Sequence, residues 1–223
     1  MKWITNLAKK AENILENAPI WIAGSGPSLD EYPDDFLHHK FSIALHLAYL
    51  KFPNTTYRYA NEYDRVKWFK ENRPEYLDKD NIFAFPFYNK TERECNSLID
   101  LDRENYYFLA LRPYPKKTSV VRAWHARGVD FGGWGTCLHG ALYVALMMHG
   151  KPINIIGCNH ESKDGLEHFK LANDNNQYRD TSTPYAKKGK LMKEGTEKII
   201  NRSKFYTKIN WIKSYDEAKK YVT

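Results

Sequence analysis

No apolar run in this 223-residue chain approaches the ~20 residues needed to span a bilayer. The opening stretch, MKWITNLAKKAENILENA, lacks the apolar core of a signal peptide. It reads instead as an amphipathic helix with Trp3, Ile4, Leu7, Ala11, Ile14 and Leu15 along one side. Cysteine is scarce: Cys95, Cys137 and Cys158 are odd in number, scattered and without metal-ligand spacing. That excludes a disulfide scaffold and a zinc finger, and points to thiols in a reducing, cytoplasmic setting. Internal repeats and low-complexity tracts are absent, which excludes a solenoid. The phosphate-binding pattern G-x-x-x-x-G-K-[ST] is missing too, and so is a complete G-x-G-x-x-G, because Leu29 stands at the third glycine position.

What is present is ordinary globular material, 42% hydrophobic and 27% charged, enough for a single domain over 1–223 with a sizeable core. The formal net charge of +7 favours a polyanionic partner, such as nucleic acid or a phosphorylated ligand. Much of the excess falls between Lys187 and Lys208, a run that also reads as a solvated helix face.

Apolar runs and helical periods alternate. Strands are expected at Pro19–Ala23, Phe41–His46, Tyr57–Asn61, Asn81–Tyr88, Tyr106–Arg112, Pro152–Gly157 and Ile209–Ile212. Pro86 suggests that Asn81–Tyr88 is an edge strand or carries a bulge. Helices are expected at Asp34–Lys40, Asp64–Asn72, Thr91–Asn105, Thr136–His149, from Ser182-Thr183-Pro184 to about Phe205, and at Tyr215–Tyr221. This alternation predicts an α/β fold, a mostly parallel sheet with helices on both faces. The polar stretch 159–183 has few core residues and reads as a lid.

Two glycine-bearing stretches stand where such folds bind ligands, beyond the carboxyl ends of strands. The first is IWIAGSGPSLDE, in which Gly24 and Gly26 admit close backbone approach, Pro27 fixes φ and Ser28 offers a hydroxyl. A tight strand-to-helix turn is the plainer reading. The second is GWGTCLHGALYVALMMHGKPINIIGCNH, a loop opening into a helix at Thr136 and followed by a strand ending at Gly157. Backbone N–H groups at such a helix start bind anionic oxygens. If both loops face one crevice, they form a phosphate clamp.

WIAGSGPSLDE resembles the opening of the bacterial sialyltransferases of glycosyltransferase family 42, and the GxGPSL opening of the MptE-like domain family. GTCLHGALYVALMMHGKPINIIGCNH is similar to their shared second motif, and YRYANEYD parallels a stretch in which an asparagine follows a strand. The resemblance implies a Rossmann-like sheet in a GT-A-like variant. It implies a site in which Gly24, Ser25, Gly26, Pro27 and Ser28 wrap a nucleotide, and Asn61 contacts ribose or phosphate. Thr136, Cys137, Leu138, Gly157 and Asn159 complete the pocket. Ser25 replaces an asparagine, Cys137 and Leu138 replace serine and glycine, and Asn159 replaces an aspartate. Tyr185 falls on a tyrosine of the pattern. Lys188 stands where the sialyltransferases carry a histidine base, and a protonated lysine suits neutralising a departing phosphate. The base is then sought at His160 or His168, with Glu161 and Asp164 as alternatives.

The expected activity is transfer of a sugar from a CMP- or UDP-linked donor to a hydroxyl acceptor, without a metal; a polyanionic acceptor such as DNA or a phosphorylated glycan would suit the charge. An MptE-like diphosphokinase acting on a pterin alcohol competes, and so does a non-catalytic nucleotide- or nucleic-acid-binding protein. Asp78–Asp80 and Asp100–Asp102 have the Asp-x-Asp form of a metal motif but do not follow strands cleanly. His38-His39 lacks the third ligand of a metal site. His139 either lines the pocket or makes a helix-facing polar contact. RPYPKKTSVVRAWHARG, 112–128, interleaves cations with aromatics as single-strand binders do, or is a loop packing its rings.

Overall fold

The structure, a computed structural model, describes residues 1–4, 6–7, 18–85, 90–110, 136–160, 172 and 185–222. Eight strands form one sheet: β1 (Lys2–Trp3), β2 (Ile20–Ala23), β3 (Ser42–Leu45), β4 (Tyr57–Ala60), β5 (Asn81–Phe85), β6 (Tyr106–Ala110), β7 (Ile153–Ile156) and β8 (Ile209–Trp211). Their spatial order is β1-β6-β5-β4-β3-β2-β7-β8, and every pairing is parallel. The described helices are α1 (Tyr63–Asn72), α2 (Glu92–Leu98), α3 (Cys137–Met147), α4 (Tyr185–Ser203) and α5 (Tyr215–Ala218). This is an α/β, Rossmann-like architecture.

Parallel strands covered on both faces read as unbroken apolar runs, because neither face meets water. In β2, Trp21 and Ala23 join the core on one face, with Leu29, Phe36 and Phe83. Ile20 and Ile22 join the core on the other, with Ile43, Tyr59, Ile153 and most of α3. Every residue of α3 from Leu138 to Met147 is buried, which is why its sequence shows no polar stripe. Thr136 caps it: the hydroxyl accepts from the His139 amide at 3.2 Å, an interaction worth about 1 kcal/mol.

The chain steps sideways from β2 through β6, then returns to lay β7 on the opposite flank of β2. Consecutive loops leave the sheet in opposite directions there, and a crevice opens at the carboxyl ends of β2 and β7.

Seven strands lie where the apolar runs predict them; β1 does not. Lys2–Trp3, expected within the opening helix, instead pairs in register with Tyr107 and Phe108. Ile4 and Leu7 of that stretch are buried, and most of the rest of it lies outside the described residues. β5, described as Asn81–Phe85, runs between β4 and β6, so it is not an edge strand; Pro86, where a bulge was the alternative, lies outside the described residues. Asp34–Lys40 forms turns; the helical piece here is the 3-10 segment Pro27–Glu31. α2 stops at Leu98, well short of Asn105. Among the described residues no helix is long and apolar enough to cross a membrane.

Candidate functional site

At the β2–β7 crevice the Gly24–Ser28 loop touches the Gly157 end of β7, while the glycine loop leading into Thr136 lies outside the described residues. The Gly24 amide donates to the Ile156 carbonyl at 2.8 Å, and the Gly26 amide to the Gly157 carbonyl at 2.7 Å. A Cβ on Gly24 would lie 2.2 Å from Cys158 Sγ, and one on Gly26 2.7 Å from the Gly157 oxygen. Gly157 itself has φ +63°, in the left-handed region that favours glycine. These glycines therefore have a packing role whatever else they bind. Pro27 opens the 3-10 turn with Gly26 as its N-cap. Ser28, nearly buried, does not cap; its hydroxyl donates to Asn159 Oδ1 at 3.5 Å, while Asn159 Nδ2 donates to the Lys213 carbonyl at 3.2 Å. Ser25 is half-buried within the same loop.

The amino end of α3 reaches this same edge of the sheet. Cys137 Sγ lies 3.5 Å from His46 Nδ1, just beyond β3. His46 Nε2 accepts from the backbone amide of Asn61, just beyond β4, at 3.4 Å. Asn61 Oδ1 is buried without a hydrogen-bond partner among the described residues. Leu138 points into the core, so only its backbone is available to a ligand. Burial, with a smaller push from the Cys137 thiol, holds the Cys158 thiol well above its ordinary range. The crevice edge thus carries, in order along the sheet, Asn61, His46 with Cys137, the Gly24–Ser28 loop and Gly157–His160.

His160 closes this edge in a strained and buried setting. Its φ of +57° is strained for a residue with a side chain. Its ring meets Trp211 edge-on, with centroids 5.8 Å apart. Burial first, then the charges of His139, Lys213 and Lys193, push its pKa down to about 4. At neutral pH it is uncharged. Lys213 Nζ sits 3.2 Å from the centroid of the Trp211 ring, whose Nε1 donates to the Cys158 carbonyl at 3.0 Å.

Of the other expected residues, Tyr185 and Lys188 fall in the first turn of α4, but their side chains lie outside the described residues. So do His168, Glu161, Asp164, the stretch 112–128 and all of 159–183 apart from Asn159, His160 and Ala172. His139 makes the helix-facing contact, toward α4, with Nε2 3.2 Å from Thr196 Oγ1. The Asp-x-Asp pairs precede β5 and β6, at the amino edge of the sheet, where Asp78 pairs with Arg103 at 3.2 Å and Asp102 with the N-terminal ammonium. Among the described residues no three His, Cys, Asp or Glu side chains converge as a metal site. A cleft of about 730 Å³ also opens at that amino edge, beside the stacked rings of His38 and His39. It lies away from the strand ends where parallel sheets bind ligands.

Sequence reading missed His46, Thr196, Lys193 and Lys213. His46 carried a signal, a histidine closing an apolar strand; the other three are ordinary helix and loop residues until the fold brings them together.

No family model and no curated protein matches the chain. Among solved structures it is similar to the sialyltransferase CstII from Campylobacter jejuni, in complex with a substrate analogue, CMP-3FNeuAc. That likeness covers 92% of this chain and 98% of the other, at 13% identity and a TM-score of 0.43. Both figures are too low for it to bear on the chemistry.

Proposed function

We propose that the protein is a glycosyltransferase that moves a sugar from a CMP- or UDP-linked donor to a hydroxyl acceptor. The observation that carries this reading is the convergence of Gly24–Ser28, Asn61 and the Thr136 helix start on one crevice at the switch point of the sheet. These are the segments whose motifs resemble the family 42 sialyltransferases. The amino end of α3, with the Cys137 and Leu138 amides in its first turn, suits an anionic phosphate. Asn61 Oδ1, a buried acceptor, suits a ribose hydroxyl. Gly157 and Asn159 close the far side.

In the reaction, His160 takes the proton of the acceptor hydroxyl, and the acceptor oxygen forms a bond to the anomeric carbon. The bond from that carbon to the phosphate oxygen breaks, and its electron pair leaves with the nucleotide. Tyr185 and Lys188, opening α4, stabilise the departing phosphate, with His168 as the alternative base. A histidine held near 4 is a weak base. An anionic donor arriving beside Lys193 and Lys213 offsets their charge, a smaller part of that depression than burial, and so makes the imidazole more basic than in the free protein.

The test is thermal stabilisation by CMP, UMP, UDP, GDP, AMP and ATP, each with and without Mg²⁺. A nucleotide at 100 times its Kd adds about 2.7 kcal/mol. Stabilisation by CMP or UDP without Mg²⁺ supports the reading. Stabilisation by ATP with Mg²⁺ replaces it with the diphosphokinase. Binding with neither turnover nor donor hydrolysis leaves a nucleotide-binding protein, and no shift from any nucleotide ends the reading.

A further inference from the structure

Between α3 and α4, one threonine hydroxyl meets two imidazoles. Thr196 Oγ1 lies 3.2 Å from His139 Nε2 and 3.4 Å from His160 Nε2. It donates to the Met192 carbonyl, one turn back on α4, at 2.9 Å. Thr196 is fully buried and His139 nearly so. The helix is shaped around this cluster. A Cβ on Gly195 would lie 2.5 Å from His139 Cε1, and a Cβ on Gly189 would lie 2.5 Å from the His160 carbonyl oxygen. A glycine inside a helix costs about 1 kcal/mol relative to alanine. α4 bears that cost twice, at the two positions where the histidine-bearing segments press against it.

Proton counting assigns the tautomers. A hydroxyl has one proton and two acceptor sites. The Thr196 proton goes to Met192, the shortest of its contacts, so the hydroxyl has only lone pairs to offer the two rings. His139 Nε2 also lies 3.4 Å from the Met192 carbonyl, a group that can only accept, so this nitrogen carries hydrogen. By the same count His160 Nε2 carries hydrogen as well. We propose that Thr196 is a positioning residue for His160: it accepts the Nε2–H and leaves Nδ1 as the proton-accepting nitrogen, while His139 secures the hydroxyl from α3. The charged groups facing His160 are His139 from α3, Lys193 from α4 and Lys213 from the segment after β8. All three favour the neutral ring that this tautomer requires. The role given to Nδ1 rests on the glycosyl-transfer reading; the tautomer itself does not.

Long-range proton–nitrogen spectra of ¹⁵N-histidine-labelled protein at pH 7 test this, with His160 assigned through His160→Gln. The expected result is the Nε2–H tautomer in the wild type, its loss in Thr196→Val and its retention in Thr196→Ser. An Nδ1–H tautomer in the wild type, or an unchanged His160 spectrum in Thr196→Val, overturns the proposal. If the valine variant does not fold, the wild-type tautomer alone still decides. On turnover, Thr196→Val is expected to lower kcat about tenfold at unchanged KM, with serine restoring it, a loss within the range of general-base effects; an unchanged kcat overturns the positioning role. If the tautomer is found as stated and no nucleotide binds, the transfer reading fails while the Thr196–His160 pairing stands.

Discussion

The Gly26 amide and the Gly157 carbonyl, 131 positions apart in the chain, meet across 2.7 Å where the sheet changes direction. One hydrogen bond thereby fixes the loop after β2 against the loop after β7, and each loop supports the other's shape.

Two substitutions separate space from backbone strain at this contact. Gly26→Ala meets only crowding, because Gly26 has φ −70°, accessible to any residue. Gly157→Ala meets crowding against the Gly24 oxygen at 2.6 Å and also a φ of +63°. The left-handed conformation alone costs an L-residue about 1–2 kcal/mol. Urea unfolding should show both variants destabilised, Gly157→Ala by about 2 kcal/mol or more and beyond Gly26→Ala. Equal stability of Gly157→Ala and the wild type would contradict the contact.

The sheet was legible because parallel strands buried on both faces leave apolar runs that side-chain periodicity cannot disguise. β1 was not legible: its two residues become a strand only because Tyr107 and Phe108 offer a partner edge. Arg58 shows the same limit. It reads as a polar position in YRYA, yet it is buried, with its guanidinium 4.6 Å from the Tyr49 ring centroid and donating to the Glu75 carbonyl at 2.7 Å. At the crevice, glycine-rich loops carry a local sequence signal, whereas the Thr196 hydroxyl gains its meaning only from two helices packing together.

His160 predicts a pH dependence of stability. Its folded pKa, about 4, lies below the ordinary 6.5, so the unfolded chain binds the proton more readily. Stability from this group is complete above pH 6.5, falls as the pH drops through the window from 6.5 to 4, and is fully lost below it. The span corresponds to about 3 kcal/mol. Between pH 5 and 6.5, before most carboxylates titrate, the wild type should lose urea resistance faster than His160→Gln. Parallel curves would show that the ring titrates alike in both states.

The thiols should differ in reactivity. Cys95 and Cys158 are buried, while Cys137 is partly exposed, opens α3 and lies beside the His46 ring. Burial withholds the other two thiols from reagent, and it also raises the Cys158 thiol. Iodoacetamide should alkylate Cys137 first in the native protein, with iodide leaving as the sulfur–carbon bond forms. Cys137→Ser should remove that fast phase, and a bound nucleotide should protect it. Fast labelling at Cys158 instead would contradict the packing of the loop after β2 against the end of β7.

Asn61 separates a residue kept for the fold from one kept for a ligand. Its side-chain oxygen is buried without a partner among the described residues, and an unsatisfied buried acceptor costs about 1–3 kcal/mol. Replacing it with leucine, close in size, removes that acceptor while the backbone amide continues to serve His46. The folded state of Asn61→Leu should be as stable as the wild type or firmer by about 1 kcal/mol. If the oxygen receives a ribose hydroxyl, nucleotide affinity should fall about tenfold, equivalent to 1.4 kcal/mol. Calorimetric titration with the stabilising nucleotide measures one effect and urea unfolding the other. Lost stability with unchanged affinity would place Asn61 among the structural residues and move the ribose elsewhere in the crevice.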